Sequence, residues 1–378
     1  MNAYSFTVQD VSALSKELEA CRASFEPKLG IIFASTGVDL DVLQSFFSEN
    51  DVPLFGCTSA GGIHNNTMVL GQIVGQFLDI DPAHFSMHFT TQEDGDIFEQ
   101  ARAVARAAND LYDKPALIVV SGGFGVNADE IIGGLKEDLT SFDIPIFGGL
   151  AGDDINLYET FIFSDKKISN NGILTLVLDN EFIEVNGLAI CGWETIGAEH
   201  TITKCEGSTV YSIDDEPALD FFIKHFGAFH DITIEASRFE DMSAQYPLQF
   251  IRKNGVRVLR SPIKANEEEG AFLLAGGVHE GDRFKFSMSP GFSVVEQTVC
   301  EFENLGKSHP YAESLILFSC AGRYAALGPM IEDEIRGISK QWNAPLTGLF
   351  SFGEIGNSLD GECDFHNETC CLVMLSTR

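Results

Sequence analysis

The chain has 378 residues, of which 44% are hydrophobic and 21% are charged, a balance typical of a soluble globular protein rather than a disordered one. Its 24 basic and 56 acidic residues give a net charge of −32, which argues against a nucleic-acid partner because phosphate backbones are bound by basic surfaces. No apolar run approaches the roughly 20 residues of a membrane-spanning helix. The length suffices for two domains with separate cores.

The N-terminus and the cysteines indicate the cellular compartment. The first ten residues, MNAYSFTVQD, lack the basic and apolar regions of a signal peptide. The nine cysteines are odd in number and scattered, with one adjacent pair at Cys370 and Cys371, so they do not form a disulfide framework. We therefore expect a cytoplasmic protein with free thiols.

Three segments of the chain share one pattern. The first contains LGIIFAST, a helical stretch, PLFGCTSAGGI and GQIVGQFLDI. The second contains ALIVVSGG, ADEIIGGLKEDLTSF, PIFGGLAGDD and ILTLVLD, and the third contains LILFSC, EDEIRGISKQW, PLTGLFSFGEIG and CCLVML. Each copy predicts a buried strand, a helix, a strand that begins Pro-apolar-x-Gly, a glycine-containing turn and another apolar strand. Such units predict strand–helix–strand crossovers in sheets that are covered on at least one face.

The first two copies are adjacent and predict an α/β domain over residues 20–190. The pattern then changes: residues 182–210 alternate between polar and apolar side chains, which predicts antiparallel strands, and DEPALDFFIKHFG predicts a helix. Asn254–Gly255 predicts a tight hairpin turn. Together with the third copy, residues 200–376 predict an α+β domain. The expected fold is a two-domain α/β and α+β protein with repeated strand–helix–strand units, mixed sheets and an inter-domain pocket.

The motifs GCTSAGGI, GGLAGDD, LFSCAGR, GEIG and HNET occur in this order, and as an ordered set they resemble the FIST family. These are two-part sensory domains of bacterial signal-transduction proteins. The resemblance covers about residues 25–376 and implies that the first half is FIST N-like and the second FIST C-like. One departure is Gly62, where we expect the family often to carry an acidic residue. The resemblance implies ligand sensing and no catalytic activity.

The resemblance also implies a mode of action. Some stand-alone family members are haem proteins that sense nitric oxide and control partner histidine kinases. Since no kinase, receiver or cyclase segment is evident in this sequence, its layout is similar to theirs. The resemblance therefore implies a sensor that binds haem b and regulates a separate signalling protein such as a histidine kinase. The alternative is a sensor of an amino acid or another small anionic metabolite, without haem.

The candidate ligand-binding residues lie at the ends of the predicted strands. Arg323 follows a strand and a glycine, where a guanidinium can clamp an anion through two parallel bonds, or else form an internal ion pair with Glu354 or Asp153. The glycine-rich turns offer backbone N–H groups and hydroxyls to an anion, or are simply tight turns between strands. The full predicted set is Cys57, Thr58, Ser59, Gly61, Gly149, Gly152, Asp153, Cys320, Arg323, Gly353, Glu354, His366 and Asn367.

Metal binding and catalysis give the remaining hypotheses. The sequence has no C-x-x-C-H motif, so only non-covalent haem is possible, and its iron needs an axial His, Cys or Tyr. His64 and His366 are the candidate ligands because both follow motif turns. A third alternative is a thiol-dependent enzyme that uses Cys320 as a thiolate, although a cysteine at a buried strand end is usually a small hydrophobe. We expect no enzyme and no zinc site.

Overall fold

A computed structural model describes residues 1–122, 126–141, 143–154, 159–230, 239, 243, 245–252, 255–289, 291–359 and 362–378, with the backbone alone for 226–230. The described α-helices are α1 Leu14–Arg22, α2 Leu40–Glu49, α3 Ile97–Leu111, α4 Ala128–Asp138, α5 Ala218–His230, α6 Phe292–Ser308, α7 Ala321–Leu327 and α8 Ile331–Ser339. Most of the remaining regular structure is β-sheet, so the fold is best followed through its strands.

The described strands, in chain order, are β1 Ala3–Val8, β2 Leu29–Ala34, β3 Leu54–Thr58, β4 Gly62–His64, β5 Thr67–Val69, β6 Ile73–Leu78, β7 Phe85–Thr90, β8 Pro115–Gly122, β9 Ile146–Leu150, β10 Ile162–Ser164, β11 Ile168–Ser169, β12 Gly172–Asp179, β13 Ile183–Ile190, β14 Glu194–Glu206, β15 Thr209–Ile213, β16 Glu216–Pro217, β17 Leu248–Ile251, β18 Arg257–Arg260, β19 Pro262–Asn266, β20 Ala271–Leu274, β21 Arg283–Met288, β22 Ser314–Cys320, β23 Leu346–Ser351, β24 Glu354–Asn357, β25 Cys363–His366 and β26 Cys370–Thr377.

The three predicted repeats each form the centre of one six-stranded sheet. The strand orders are β1-β6-β2-β3-β10-β11, β7-β12-β8-β9-β24-β25 and β13-β26-β22-β23-β4-β5. In each sheet two neighbouring strands are parallel and joined through a helix: β2 with β3, β8 with β9, and β22 with β23. These strands are buried along their whole length, which explains their nearly continuous apolar sequences. The predicted mixed α/β architecture is confirmed.

Each repeat places its hairpin in a sheet that belongs to another repeat. The β4–β5 hairpin of the first repeat pairs with β23 of the third, and β24–β25 of the third pairs with β9 of the second. The β10–β11 hairpin of the second repeat pairs with β3 of the first, which closes the cycle. The three sheets are therefore tied together by backbone hydrogen bonds, and two of them contain strands from both halves of the chain.

The glycine of the Pro-apolar-x-Gly pattern is a requirement for close strand contact. Gly56, Gly148 and Gly348 occupy equivalent places in β3, β9 and β23. A Cβ atom at any of them would overlap a carbonyl oxygen of the parallel neighbouring strand. Only glycine allows the two backbones to approach this closely, which is why the three repeats share this residue.

The three sheets enclose one hydrophobic core, and helices cover their outer faces. Phe33, Ile118 and Phe318, one from each sheet, belong to the same buried cluster. Outside the sheets lie three further clusters, which contain α1 with α2, α3 with α4, and α6 with α8. Both faces of the sheets are thus buried. We refer to this three-sheet assembly with its helices as the repeat core.

A fourth sheet is inserted between β13, which is the edge strand of the third sheet, and α6. Its strand order is β18-β17-β21-β14-β15-β20-β19, with β16 paired to β15, and with α5 it has its own core, rich in phenylalanine. We call this part the inserted sheet. The predicted hairpin is present as the antiparallel pair β17–β18, although Asn254 itself lies outside the described residues. Within the described chain, no helix has both the length and the apolar character needed to cross a membrane.

Candidate functional site

The three glycine-rich turns meet in space, and they bind one another. Their mutual backbone hydrogen bonds run from Ala60 N–H to the Phe350 carbonyl, from Gly152 N–H to the Thr58 carbonyl, and from Leu150 N–H to the Gly353 carbonyl, each 2.9 Å long. These N–H groups already have partners and are not available to cradle an anion.

The predicted residues of the first two turns are buried parts of this junction. Thr58 and Ser59 are fully buried, and Thr58 Oγ1 accepts a hydrogen bond from the Phe161 N–H at 2.9 Å. Burial raises the pKa of the Cys57 thiol, so this side chain is a neutral core group. Gly61 has a φ of +152°, and a Cβ at Gly149 would lie 2.7 Å from the Gly353 carbonyl oxygen. Gly152 and Asp153 are buried beside them.

Arg323 is completely buried, and all five of its N–H donors are used within the protein. Its Nε and Nη2 bind the two carboxylate oxygens of Glu334 at 2.9 and 2.5 Å. Nη2 also donates to Thr298 Oγ1 at 2.8 Å, and Nη1 donates to the carbonyls of Cys191 and Glu368 at 2.6 and 2.9 Å. No donor is left for a ligand.

Arg323 therefore forms an internal ion pair, one of the two alternatives, but its partner is Glu334 rather than Glu354 or Asp153. Burial alone lowers the pKa of Arg323, but the charge and hydrogen bonds of Glu334 outweigh burial and raise it. The sequence did contain a signal for this pair. Glu334 lies three residues after Ile331 and four before Ile338, so helical periodicity places it on the buried face of α8.

Glu354 lies at the start of β24, where it is fully buried and bound by two hydroxyl groups. Ser351 and Thr369 each donate to one of its carboxyl oxygens at 2.6 Å. Burial raises the pKa of Glu354 to about 8, against the lowering effect of the two hydroxyl groups. The carboxyl group is therefore largely protonated at neutral pH. A neutral group of this kind does not supply a fixed negative charge for an amine ligand.

Cys320 ends β22 close to these carboxyl groups. Burial raises the pKa of its thiol, and the nearby Glu354 and Glu368 raise it further. An activated cysteine needs an electropositive, accessible environment that lowers the pKa instead. The surroundings of Cys320 therefore argue against its use as a thiolate nucleophile.

Glu368 is a buried acid that the sequence analysis missed, although it lies inside the HNET motif. Its φ of +56° is in the left-handed region, which is unusual for a residue other than glycine. Oε1 accepts a hydrogen bond from Ser261 Oγ at 2.8 Å, whereas Oε2 is buried without a partner among the described residues. Burial raises its pKa to about 7, opposed by Ser261 and Arg323. Strain and an unsatisfied oxygen together mark the 366–369 segment as unusual.

The two predicted metal ligands lie in different places. His64 is opposite Thr347 in the third sheet and lies beside Ser5 and Asn65, whereas His366 is opposite Glu354 in the second sheet. They therefore belong to different sheets and different surroundings. Of the two, only His366 borders the cavity described next.

A cavity of about 490 Å³ lies between the repeat core and the inserted sheet. Its size is within the usual range for small-molecule sites. Among the predicted ligand residues only His366 contributes to its wall. The lining residues are Ala189, Ile190, Cys191, Gly192, Trp193, Glu194, Thr195, Gln249, Arg257, Val258, Leu259, Gln297, Ser358, Leu359, His366 and Thr369. Most of them come from stretches without a motif, which is why sequence reasoning did not find them.

Two residues of this wall each carry a buried polar atom that has no hydrogen-bond partner among the described residues. They are Trp193 Nε1, a donor, and Gln249 Oε1, an acceptor. Trp193 is held in place from one side by the Arg323 guanidinium, 5.0 Å from its ring centre. Buried polar groups without partners are rare in folded proteins, so two of them in one cavity wall point to a bound polar molecule.

His366 adds a second acceptor to the wall. Its ring is almost completely buried, and Nε2 lies 3.1 Å from the Gly356 carbonyl, which fixes Nε2 as the N–H donor and leaves Nδ1 as an acceptor. Burial lowers the pKa of His366 to about 4, so the ring is neutral at physiological pH. Next to it, Asn367 uses its Oδ1 to accept the Ser261 N–H at 3.2 Å.

The cavity wall offers one candidate ligand for haem iron. His366 is neutral and can present Nδ1, and the wall around it mixes apolar side chains such as Ile190 and Leu259 with polar ones such as Gln249. Within the described parts of the chain, His, Cys, Asp and Glu side chains form no group of three that could hold a metal ion. Haem binding stays a prediction.

The inserted sheet is joined to the repeat core on two sides of the cavity. Both covalent connections contain a glycine in the left-handed region, Gly192 at φ +82° and Gly291 at φ +72°. Polar contacts also join the two bodies. The Asp129 carboxylate at the start of α4 accepts hydrogen bonds from Arg252 at 2.6 Å and from Arg260 at 2.9 and 3.0 Å. Ser261, between β18 and β19, donates to Glu368 Oε1 and Asn367 Oδ1 at 2.8 and 3.2 Å. The cavity thus lies between two bodies that are joined by glycine-containing connections and by several polar contacts.

Two family models match the chain. The model of the FIST N domain matches residues 28–216, and the model of the FIST C domain matches residues 218–357. By these bounds the cavity is shared, since residues 189–195 fall in the first match and Gln249 and Gln297 in the second. No curated relative matches the chain. Because the two matches cover most of its length, the chain belongs to the FIST family, whose domains are associated with sensory signal transduction rather than catalysis.

Proposed function

We propose that this protein is a sensor that binds a small polar molecule in the cavity between the repeat core and the inserted sheet, and regulates a separate signalling protein such as a histidine kinase. The observation that carries the proposal is the pair of unpartnered buried groups, Trp193 Nε1 and Gln249 Oε1, in one cavity wall. Trp193 belongs to the connection that enters the inserted sheet, and Gln249 belongs to that sheet. A ligand that binds both is held where the two bodies meet.

The cavity position also supports a route from binding to signalling. The ligand contacts both the repeat core, through His366, and the inserted sheet, through Gln249. It therefore binds a closed arrangement more tightly than an open one, and this difference in affinity is what shifts the equilibrium between them. In this proposal the backbone rotates at the left-handed glycines Gly192 and Gly291, and the contacts of Asp129 and Ser261 between the two bodies change.

The first test compares two substitutions on neighbouring exposed positions of α6. Gln297→Phe fills the cavity, whereas Glu296→Phe adds the same side chain outside its wall. In a thermal-shift screen of metabolites, a ligand of the cavity raises the melting temperature of the wild type and of Glu296→Phe, because it binds only the folded state. Gln297→Phe loses this shift. A ligand that stabilises all three proteins equally binds elsewhere and contradicts the proposal.

Two further measurements test the haem and anion alternatives. If the protein is a haem sensor, its absorption spectrum after addition of haem under reducing conditions shows a stoichiometric Soret band that nitric oxide shifts. Amino acids and small carboxylates in the metabolite screen test the anionic ligand. For the partner, Gln297→Phe should abolish ligand-dependent control of a co-expressed histidine kinase, while Glu296→Phe should retain it.

A further inference from the structure

The ligand class can be argued from the charges around the cavity, on the assumption that the proposed function is correct. Only two of the lining side chains are charged, Glu194 and Arg257, and both are exposed. Arg257 already interacts with another residue of the chain. Arg323, the cation expected to bind an anion, is fully used by Glu334 and backbone carbonyls. Among the described residues, the buried part of the wall therefore contains no free counter-ion for a charged ligand, and burying an unpaired charge is costly.

The buried groups instead require a neutral hydrogen-bonding partner. Gln249 Oε1 and His366 Nδ1 accept hydrogen bonds, while Trp193 Nε1 donates one. The amide of Gln297 adds a donor and an acceptor nearby. A hydroxyl group both donates and accepts, so several hydroxyl groups on one small molecule satisfy this mixture without introducing charge. An apolar ligand would leave Trp193 Nε1 and Gln249 Oε1 unsatisfied.

We infer that the cavity binds a neutral, polyhydroxylated small molecule such as a monosaccharide or a cyclic polyol. In this arrangement hydroxyl groups of the ligand donate to Gln249 Oε1 and His366 Nδ1, and a hydroxyl oxygen accepts the Trp193 indole N–H. The contact on Gln249 involves the inserted sheet and the contact on His366 involves the repeat core. Recognition therefore depends on both bodies being in place.

Tryptophan fluorescence provides a direct readout because the chain has two tryptophans. Trp193 lines the cavity, whereas Trp342 is buried and donates its Nε1 N–H to the His309 carbonyl at 2.8 Å. A Trp342→Phe protein reports on the cavity alone. The probes are D-glucose, D-ribose and myo-inositol as polyols, acetate and glutamate as carboxylates, and putrescine as an amine. We expect a saturable change in fluorescence with at least one polyol and none with the charged probes.

Two further variants in the same background connect the signal to the proposed contacts. Gln249→Leu should weaken polyol binding about tenfold, as expected when a buried hydrogen bond is lost. Gln92→Leu, an exposed glutamine in another part of the molecule, should leave it unchanged. If Gln249→Leu fails to fold, Gln297→Leu on the exposed side of α6 replaces it.

The possible results separate this inference from the proposed function. Saturable binding of a carboxylate or amine without any polyol response overturns the polyol inference but leaves a ligand site in the cavity. Absence of any saturable response from all three classes also overturns the polyol inference. The proposed function fails as well if the thermal-shift screen then finds no ligand whose stabilising effect is lost in Gln297→Phe.

Discussion

At the scale of single residues, Arg323 shows that a charge at a strand end can serve the fold alone. It connects α7 to α8 through Glu334, to α6 through Thr298, and to the cavity wall through the Cys191 carbonyl. The residue therefore fixes the back of the cavity without contacting its contents. Its influence on a ligand is indirect, through the positions of Trp193 and the strand that carries it.

Removal of the Arg323 side chain should strongly destabilise the protein. Arg323→Ala leaves the buried Glu334 carboxylate without its partner, which typically costs about 3–5 kcal/mol. The matched control is Arg336→Ala, which breaks exposed pairs with Glu332 and Asp333 in the same region and should cost less than about 1 kcal/mol. Denaturant unfolding monitored by circular dichroism measures both. Equal losses in the two variants would contradict a structural role for the buried pair.

Glu354 gives the protein a stability that depends on pH. The pKa of Glu354 is about 8 in the folded protein, whereas that of an ordinary glutamate, as in the unfolded chain, is 4.5. The folded state therefore binds the proton more tightly. The stabilising contribution is complete below pH 4.5 and is lost as the pH rises towards 8. Glu354→Gln cannot ionise and should remove this loss, which is on the order of 4 kcal/mol. Unfolding free energies between pH 5 and 8 check this, and a wild-type slope in Glu354→Gln would refute it.

At the scale of secondary-structure elements, Gly348 allows the steric need for a repeated glycine to be tested without a change in backbone torsion, because its φ is not in the left-handed region. In Gly348→Ala the new methyl group overlaps the Leu317 carbonyl oxygen in the parallel strand, and the loss should be about 3 kcal/mol or more. Gly37→Ala is the control, because Gly37 is exposed and its nearest neighbour, Ser35 Oγ, is 3.8 Å from the added atom. Its effect should stay within about 1 kcal/mol. Similar unfolding midpoints for the two variants would show that the close strand contact is unimportant.

The elements of the repeats were predictable because their signals are local. Apolar runs, helical periodicity and the Pro-apolar-x-Gly pattern all lie within one copy and indicate strands and a helix whatever surrounds them. The destinations of the hairpins were not predictable in this way. The sequence from Gly62 to Val69 has the same pattern whether it pairs within its own sheet or, as it does, with β23 of the third repeat. Pairing over such a distance is decided by packing of the whole chain.

At the scale of the whole molecule, the candidate site lies where the regular architecture is interrupted. The three repeats pack around a common core, and their motif turns form backbone hydrogen bonds with one another. The inserted sheet breaks this regularity and creates the cavity at its edge. Sequence reasoning recognised the family and the repeated turns, but it placed the ligand at the motifs. The cavity wall combines single residues from distant segments, and Trp193, Gln249 and Gln297 carry no pattern that distinguishes them from ordinary strand and helix positions.

The cyclic exchange of hairpins has a consequence for how the protein is made on the ribosome. The β4–β5 hairpin and the edge of β9 are synthesised early, but their partners β23 and β24 lie near the end of the chain. At a synthesis rate of about 5–20 residues per second, the edge of β9 waits roughly 10–40 s for β24. During that interval a nascent chain exposes an unpaired strand edge, which is the kind of surface that associates with other chains. The protein therefore depends on protection of its N-terminal half, by chaperones or by the ribosome itself, until the last repeat emerges.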